Sequence, residues 1–81
     1  MVIKHITQGM LETWQHHVVS HAADLNSAAH YERVVIEGAI KAEMVTDVPD
    51  DLTACDPWEV LQLAAEIAAA IDASQAPPAK N

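Results

Sequence analysis

Apolar residues recur at helical spacing in three segments of the chain. In the first segment they follow Thr7 and form one stripe, which contains Leu11, Trp14, Val18, Ala22 and Leu25. Steps of three and four residues place such positions on one face of an amphipathic helix. Thr7 has the side chain of a good N-cap residue, so we expect this helix to begin at Gln8.

The second segment predicts a helix from about Ala28 to about Glu43, capped by Asn26 or Ser27. Its apolar face contains Tyr31, Val34, Val35, Gly38, Ala39 and Ala42, and Ile36 and Ile40 widen it. A glycine in a helix interior costs about 1 kcal/mol relative to alanine. We therefore expect another helix to approach closely at Gly38.

The third segment has the clearest helix start, because Asp56 suits the N-cap, Pro57 the first helical position and Glu59 the capping box. Its predicted buried stripe consists of Val60, Leu61, Ala64, Ile67, Ala68 and Ile71. The preceding stretch, 45–55, has no helical period and contains a proline and three aspartates. It predicts an acidic loop with one short turn near Leu52, and Leu52 and Val48 should attach it to the core.

The predicted fold class is therefore all-α, a small three-helix bundle with an acidic loop between the second and third helices. Residues 1–73 are expected to form a single helical domain, and the proline-containing residues 74–81 a disordered tail. The chain has no Phe and many alanines, which predicts a thin core. We expect Trp14, Trp58 and Tyr31 to provide the largest side chains of this core.

The net charge of the chain limits the classes of partner that it can bind. Twelve acidic residues against four basic ones give a net charge of −8, which disfavours binding to nucleic acid or to an anionic membrane. Cys55 is the only cysteine, so no disulfide can form within the chain, and a reducing compartment is favoured. No apolar run is long enough for a signal peptide or a membrane span. We expect a cytoplasmic protein.

Candidate chemistry is sparse. His17 and His21 lie four residues apart, a spacing that allows two imidazoles to reach one metal ion. They are weak candidates because local spacing supplies no third ligand. Cys55 is followed by Asp56, whose charge opposes formation of a nucleophilic thiolate. We therefore expect no enzymatic activity and no cofactor.

Two segments carry a resemblance to a known family: Val35-Ile36-Glu37-Gly38-Ala39-Ile40-Lys41-Ala42, and Asp56-Pro57-Trp58-Glu59-Val60 with Leu63-Ala64-Ala65-Glu66-Ile67. The opening Ile6-Thr7-Gln8-Gly9-Met10-Leu11-Glu12 adds to it. The chain resembles the small tail assembly chaperones of long-tailed bacteriophages and prophages. Where a Gly and a Trp often follow Lys-Ala in that family, this chain has Glu43 and Met44.

The resemblance implies a non-enzymatic role, in which the protein binds the tape-measure or tail-tube protein during virion assembly in the host cytoplasm. Our hypothesis is that the partner occupies a groove formed by Trp14, Met44, Val45, Trp58 and Leu61. Met is adaptable at binding surfaces, and a half-covered Trp in a first helical turn suits an apolar contact patch. Packing of both indoles at the core edge is the competing interpretation.

Two other functions remain open from the residues alone. The chain can be a helical interaction or oligomerisation protein of unrelated role, including a homo-oligomer that buries the Gly38 face. It can also be an acidic inhibitor that mimics nucleic acid, which requires carboxylates aligned on one surface. Here the carboxylates are spread over the three predicted helices and the loop.

Overall fold

The computed structural model describes residues 1–24 and 26–77. Within them lie the helices α1 (Gln8–Ser20), α2 (Ala28–Lys41) and α3 (Pro57–Gln75), and the strands β1 (Val2–Ile3) and β2 (Val45–Thr46). Short 3-10 turns follow α1 at Ala22–Asp24 and precede α3 at Leu52–Ala54. The three predicted helices are therefore confirmed, and the fold is mostly helical.

The all-α prediction needs one correction, because β1 and β2 pair as a small antiparallel sheet. Val2 lies opposite Thr46 and Ile3 opposite Val45, and the Lys4 amide donates to the Met44 carbonyl at 2.7 Å. β-branched residues favour extended backbone. Each strand has only two residues, too few for the alternation from which a strand is recognised in a sequence.

The first two helix starts form as predicted. The Met10 amide donates to Thr7 Oγ1 at 3.3 Å, and the His30 amide donates to Ser27 Oγ at 3.1 Å. α1 ends at Ser20, earlier than its predicted stripe, and Ala22 lies in the following 3-10 turn. The last predicted member of that stripe, residue 25, lies outside the described residues.

The start of α3 is confirmed at Pro57, but the predicted capping box is not. Asp56 has the extended backbone of an N-cap residue, yet its side chain makes no capping hydrogen bond. The helix continues to Gln75, so residues 74 and 75, predicted as part of the tail, are helical. Residues 78–81 of the predicted tail lie outside the described part of the chain.

The acidic loop between α2 and α3 is shorter than predicted, because β2 takes its first two residues, and the short turn predicted near Leu52 is present as the second 3-10 turn. Asp51 Oδ1 accepts hydrogen bonds from the Thr53 hydroxyl at 2.6 Å and from the Thr53 amide at 3.0 Å. Both hydrogen bonds lower the pKa of Asp51 from its ordinary value, and the bond from the Thr53 hydroxyl has the larger effect. Leu52 is buried and Val48 is half-buried against the core, as predicted.

α2 is the central element, because it packs on both α1 and α3. The largest fully buried side chains are Ile36, Met44, Ile67 and Val34. Tyr31 and Trp58, predicted as large pieces of the core, are exposed instead, and Trp14 is half-buried. The core is therefore aliphatic. No helix among the described residues combines the length and hydropathy needed to cross a membrane.

The predicted close approach at Gly38 is confirmed. A Cβ atom at Gly38 would lie 3.0 Å from Trp14 Cδ1 and 3.2 Å from His17 Cδ2. Trp14 Nε1 donates to the Val35 carbonyl at 3.0 Å, which fixes the indole across α2. Gly38 is thus the point at which α1 can approach α2.

The C-terminus of α2 is closed by a Schellman motif. The Met44 amide donates to the Ala39 carbonyl at 2.9 Å, and the Glu43 amide donates to the Ile40 carbonyl at 3.0 Å. Glu43 adopts φ 60°, the left-handed conformation for which glycine is the usual residue. The motif turns the chain so that Met44 enters the core, with only 1% of its surface exposed.

We expect Gly38→Ala to lower the free energy of unfolding by about 1 kcal/mol, because overpacking against Trp14 exceeds the gain in helix propensity. Gly9 is the matched control, since a Cβ there would meet no atom within 4 Å. Gly9→Ala should therefore leave stability unchanged or raise it. Urea unfolding checks both variants, and an increase for Gly38→Ala would contradict the close approach.

We expect Glu43→Gly to raise the free energy of unfolding by up to about 1 kcal/mol, because glycine has no left-handed penalty. Glu66→Gly removes the same charge from the exposed interior of α3, where glycine should cost about 1 kcal/mol. The same urea titrations compare them. A loss of stability for both variants would show that Glu43 is not strained.

Candidate partner-binding surface

The five residues predicted to form a binding groove differ in their exposure to solvent. Met44 and Val45 are 1% and 7% exposed, so they cannot line an accessible groove in this structure. The Schellman motif directs Met44 inward, and the pairing of β2 with β1 holds Val45 beside it. Both residues belong to the core, and the predicted surface must be corrected accordingly.

Trp14 also has a structural position. Its indole lies between α1 and Gly38 of α2, and its Nε1 hydrogen bond to the Val35 carbonyl uses its only polar group. Its half-buried ring packs against the hydrophobic core. Trp14 therefore joins two helices, and nothing in its contacts relates it to Trp58.

Trp58 and Leu61 are exposed by 63% and 55% and lie one turn apart on α3. Three exposed alanines continue the same side of the helix, Ala65, Ala68 and Ala69. We call these five residues the outer face of α3. The opposite side of α3 is buried against the core through Val60, Ala64, Ile67 and Ile71.

The helical angles of the residues in the sequence indicate this face, although the predicted buried stripe did not take them into account. At 100° per residue, the buried arc centred on Ile67 and Ile71 leaves Leu61 and Ala68 at its edge. Both were predicted to be buried, and both are exposed. Because α3 is apolar on nearly all sides, hydropathy alone did not separate its inner face from its outer one.

An open groove of about 490 Å³ lies beside the start of α3. Its walls come from the first turns of α2, the 3-10 turn before α3 and the first residues of α3, and they include His30, Arg33, Leu52, Cys55 and Val60. The Cys55 thiol donates to the Asp51 carbonyl at 3.6 Å. The groove is largely apolar, which is typical of a binding surface.

The two candidate metal ligands stack on each other. The rings of His17 and His21 have centroids 4.2 Å apart, and His21 Nδ1 lies 2.8 Å from the His17 carbonyl oxygen. With that carbonyl accepting, His21 Nδ1–H is the donor, so this nitrogen is not available to a metal. Among residues 1–24 and 26–77, no three His, Cys, Asp or Glu residues are grouped to hold a metal ion.

His17 lies at the contact between α1 and α2, and its Nε2 atom is buried without a hydrogen-bond partner among the described residues. Burial is the main cause that lowers the pKa of His17 from its ordinary value of 6.5. The neighbouring His21 and Lys41 lower it further. The helix contact therefore favours the neutral ring.

Comparison with protein-family models, with curated proteins and with solved structures gave no match. Of the apolar side chains that the structure leaves exposed, Trp58 and Leu61 are the two large ones that are adjacent on one helix. Val2, Val19, Tyr31 and Ile40 are exposed elsewhere in the fold.

A titration of the His17 ring by NMR should give a pKa below 6.5. The free energy of unfolding should fall as the pH drops below 6.5, because the unfolded chain then binds more protons than the folded one. Lys41→Gln should raise the pKa of His17, whereas Lys4→Gln removes the same charge from another part of the fold. A pKa at or above 6.5 would contradict the burial of His17 Nε2 at the helix contact.

Proposed function

We propose that this chain is a non-enzymatic protein-binding module, and that it acts as a phage or prophage tail assembly chaperone. In that role it binds the tape-measure or tail-tube protein during virion assembly. The observation that carries the binding role is the exposure of Trp58 and Leu61 on adjacent turns of α3. The resemblance of the sequence to the chaperone family supplies the biological role.

The size of the exposed side chains supports a binding role. Covering Trp58 and Leu61 would remove roughly 200 Å² of apolar surface from water, a gain of about 5 kcal/mol before the costs of association. Tryptophan is also among the residues that most often dominate the energy of an interface. Because association itself costs several kcal/mol, a stable complex needs the alanines of the outer face as well.

The five residues of the outer face contribute hydrocarbon and one indole, and the exposed Gln62 at its edge adds an amide. The face therefore offers contact area and no nucleophile, base or metal ligand. Its alanines are small enough to let a second helix approach to about 8 Å between axes. A surface of this kind suits recognition of another helix. It is the property that a chaperone of a long helical protein requires.

The segment that carries the family resemblance has a structural role in this chain. The similar segment from Val35 to Ala42 supplies much of the core, since Val35, Ile36, Ala39 and Ala42 are buried. It is followed by Glu43 at φ 60°, the conformation that favours glycine, and glycine is often found there in the family. The same helix end is therefore expected in both.

The test of this proposal is co-expression with the tail-tube and tape-measure proteins encoded beside the gene for this chain. We expect one of them to co-purify, and we expect Trp58→Ala with Leu61→Ala to weaken its capture by about tenfold or more. Val19→Ala, which alters an exposed side chain of α1, is the control and should bind normally. Circular dichroism should show that all variants remain helical.

Two outcomes would contradict the proposal in different ways. If the gene has no tail-protein neighbours, or if neither tail protein binds, the tail role is wrong. If a partner binds and the Trp58 and Leu61 substitutions leave its capture unchanged, the chain binds proteins through another surface.

A further inference from the structure

We infer that the occupant of the outer face of α3 is a basic amphipathic helix, an inference that rests on the proposed protein-binding function. Such a helix has an apolar stripe and carries Lys or Arg beside that stripe. The inference names the chemistry of the partner, which neither the exposure of Trp58 nor the family resemblance specifies.

The first observation is the charge of α3. Its nineteen residues include no Lys, Arg or His. They include Glu59, Glu66 and Asp72, and Asp56 precedes them at the N-cap. Within residues 1–24 and 26–77 the recorded ion pair is Arg33 with Glu37 on α2, so the carboxylates of α3 have no cationic partner there.

The second observation is the position of these carboxylates relative to the apolar stripe. Asp72 is exposed and follows Ala68 and Ala69 by four and three residues, so it extends the outer face by one turn. Glu66 is exposed and lies along one border of the face, next to Ala65. Asp56 is exposed at the N-cap, on a different side of the helix from Trp58. Carboxylates are thus present at the C-terminal end of the stripe and along one side of it.

The third observation is the shape of the stripe. From Trp58 to Ala69 it rises about 17 Å, or three helical turns. Trp58 and Leu61 project at one end, and small side chains leave a shallow surface along the rest. A partner helix of about four turns matches this length. Its apolar side would contact the stripe, and its cations would reach the flanking carboxylates.

Charge also argues against a second copy of this chain as the occupant. Each chain has a net charge of −8, so a dimer has −16. Pairing two outer faces would place carboxylates from both chains along one interface, with no cation from either α3 to pair with them. Like charges at an interface exclude a wrong partner, and opposite charges favour the right one.

The probe is a synthetic amphipathic peptide of about eighteen residues, with Leu along one face and Lys on both sides of it. Two further peptides are controls. One has the same composition in an order without an apolar face, and the other has Glu in place of Lys. Binding is followed on the full chain by the shifts of its backbone amides in NMR spectra.

We expect the Leu/Lys peptide to shift amides of α3 and its flanking turns, and to bind about tenfold more tightly than either control. Glu66→Gln with Asp72→Asn should weaken binding about three- to tenfold. Glu12→Gln with Asp24→Asn removes the same charge from α1 and the turn after it. This control should leave binding nearly unchanged.

Equal binding of the two Lys peptides would overturn the inference, because it would show attraction by net charge alone. Tighter binding of the Glu peptide, or a dimer formed through α3, would also overturn it while leaving the outer face as a binding surface. The inference is also overturned if no peptide shifts α3. The proposed function fails separately, when the unaltered chain captures neither tail protein.

Discussion

The contact between Trp14 and Gly38 is the constraint on which the rest of the fold depends. It lets α1 lie close against α2, while the opposite side of α2 packs against α3. α2 is therefore covered on both sides, and Val34, Ile36 and Ala39 have no exposed surface. A chain of 81 residues has little other apolar area with which to form a core. A side chain at Gly38 would weaken this arrangement at its centre.

Because α2 occupies the centre, the flanking helices keep outward faces, and these faces differ. α1 presents mainly polar residues outward, whereas the outer face of α3 presents an indole, a leucine and three alanines. The buried side of α3 already supplies the apolar contacts that this helix makes with the core. Its outer face is thus apolar beyond what the core requires, and we propose it as the surface that a partner covers. On that proposal, the neighbouring carboxylates restrict the charge of the partner.

Local chemistry made the helix starts predictable, since Thr7, Ser27 and Pro57 act through their immediate neighbours. The close approach at Gly38 was also predictable from the cost of glycine in a helix. The position of Met44 was not, because it depends on Glu43 taking a conformation that is rare for a glutamate. The two-residue strands were not predictable either, because they form through tertiary packing. The same holds for the choice of which side of the alanine-rich α3 is exposed. Of the five residues predicted to form the groove, Trp58 and Leu61 are exposed, Trp14 is half-buried, and Met44 and Val45 are buried.

The central claim is that Trp58 is exposed in the free chain and becomes covered by the partner. Fluorine-labelled tryptophan gives each indole its own NMR resonance, and Trp58→Phe assigns the two. In the free chain, the Trp58 resonance should respond strongly to replacement of H₂O by D₂O and to a soluble paramagnetic agent, whereas the Trp14 resonance should respond weakly. In the proposed complex with a partner protein, the response of Trp58 should be lost. A Trp58 resonance that is shielded in the free chain, or that stays equally accessible in the complex, would contradict the account.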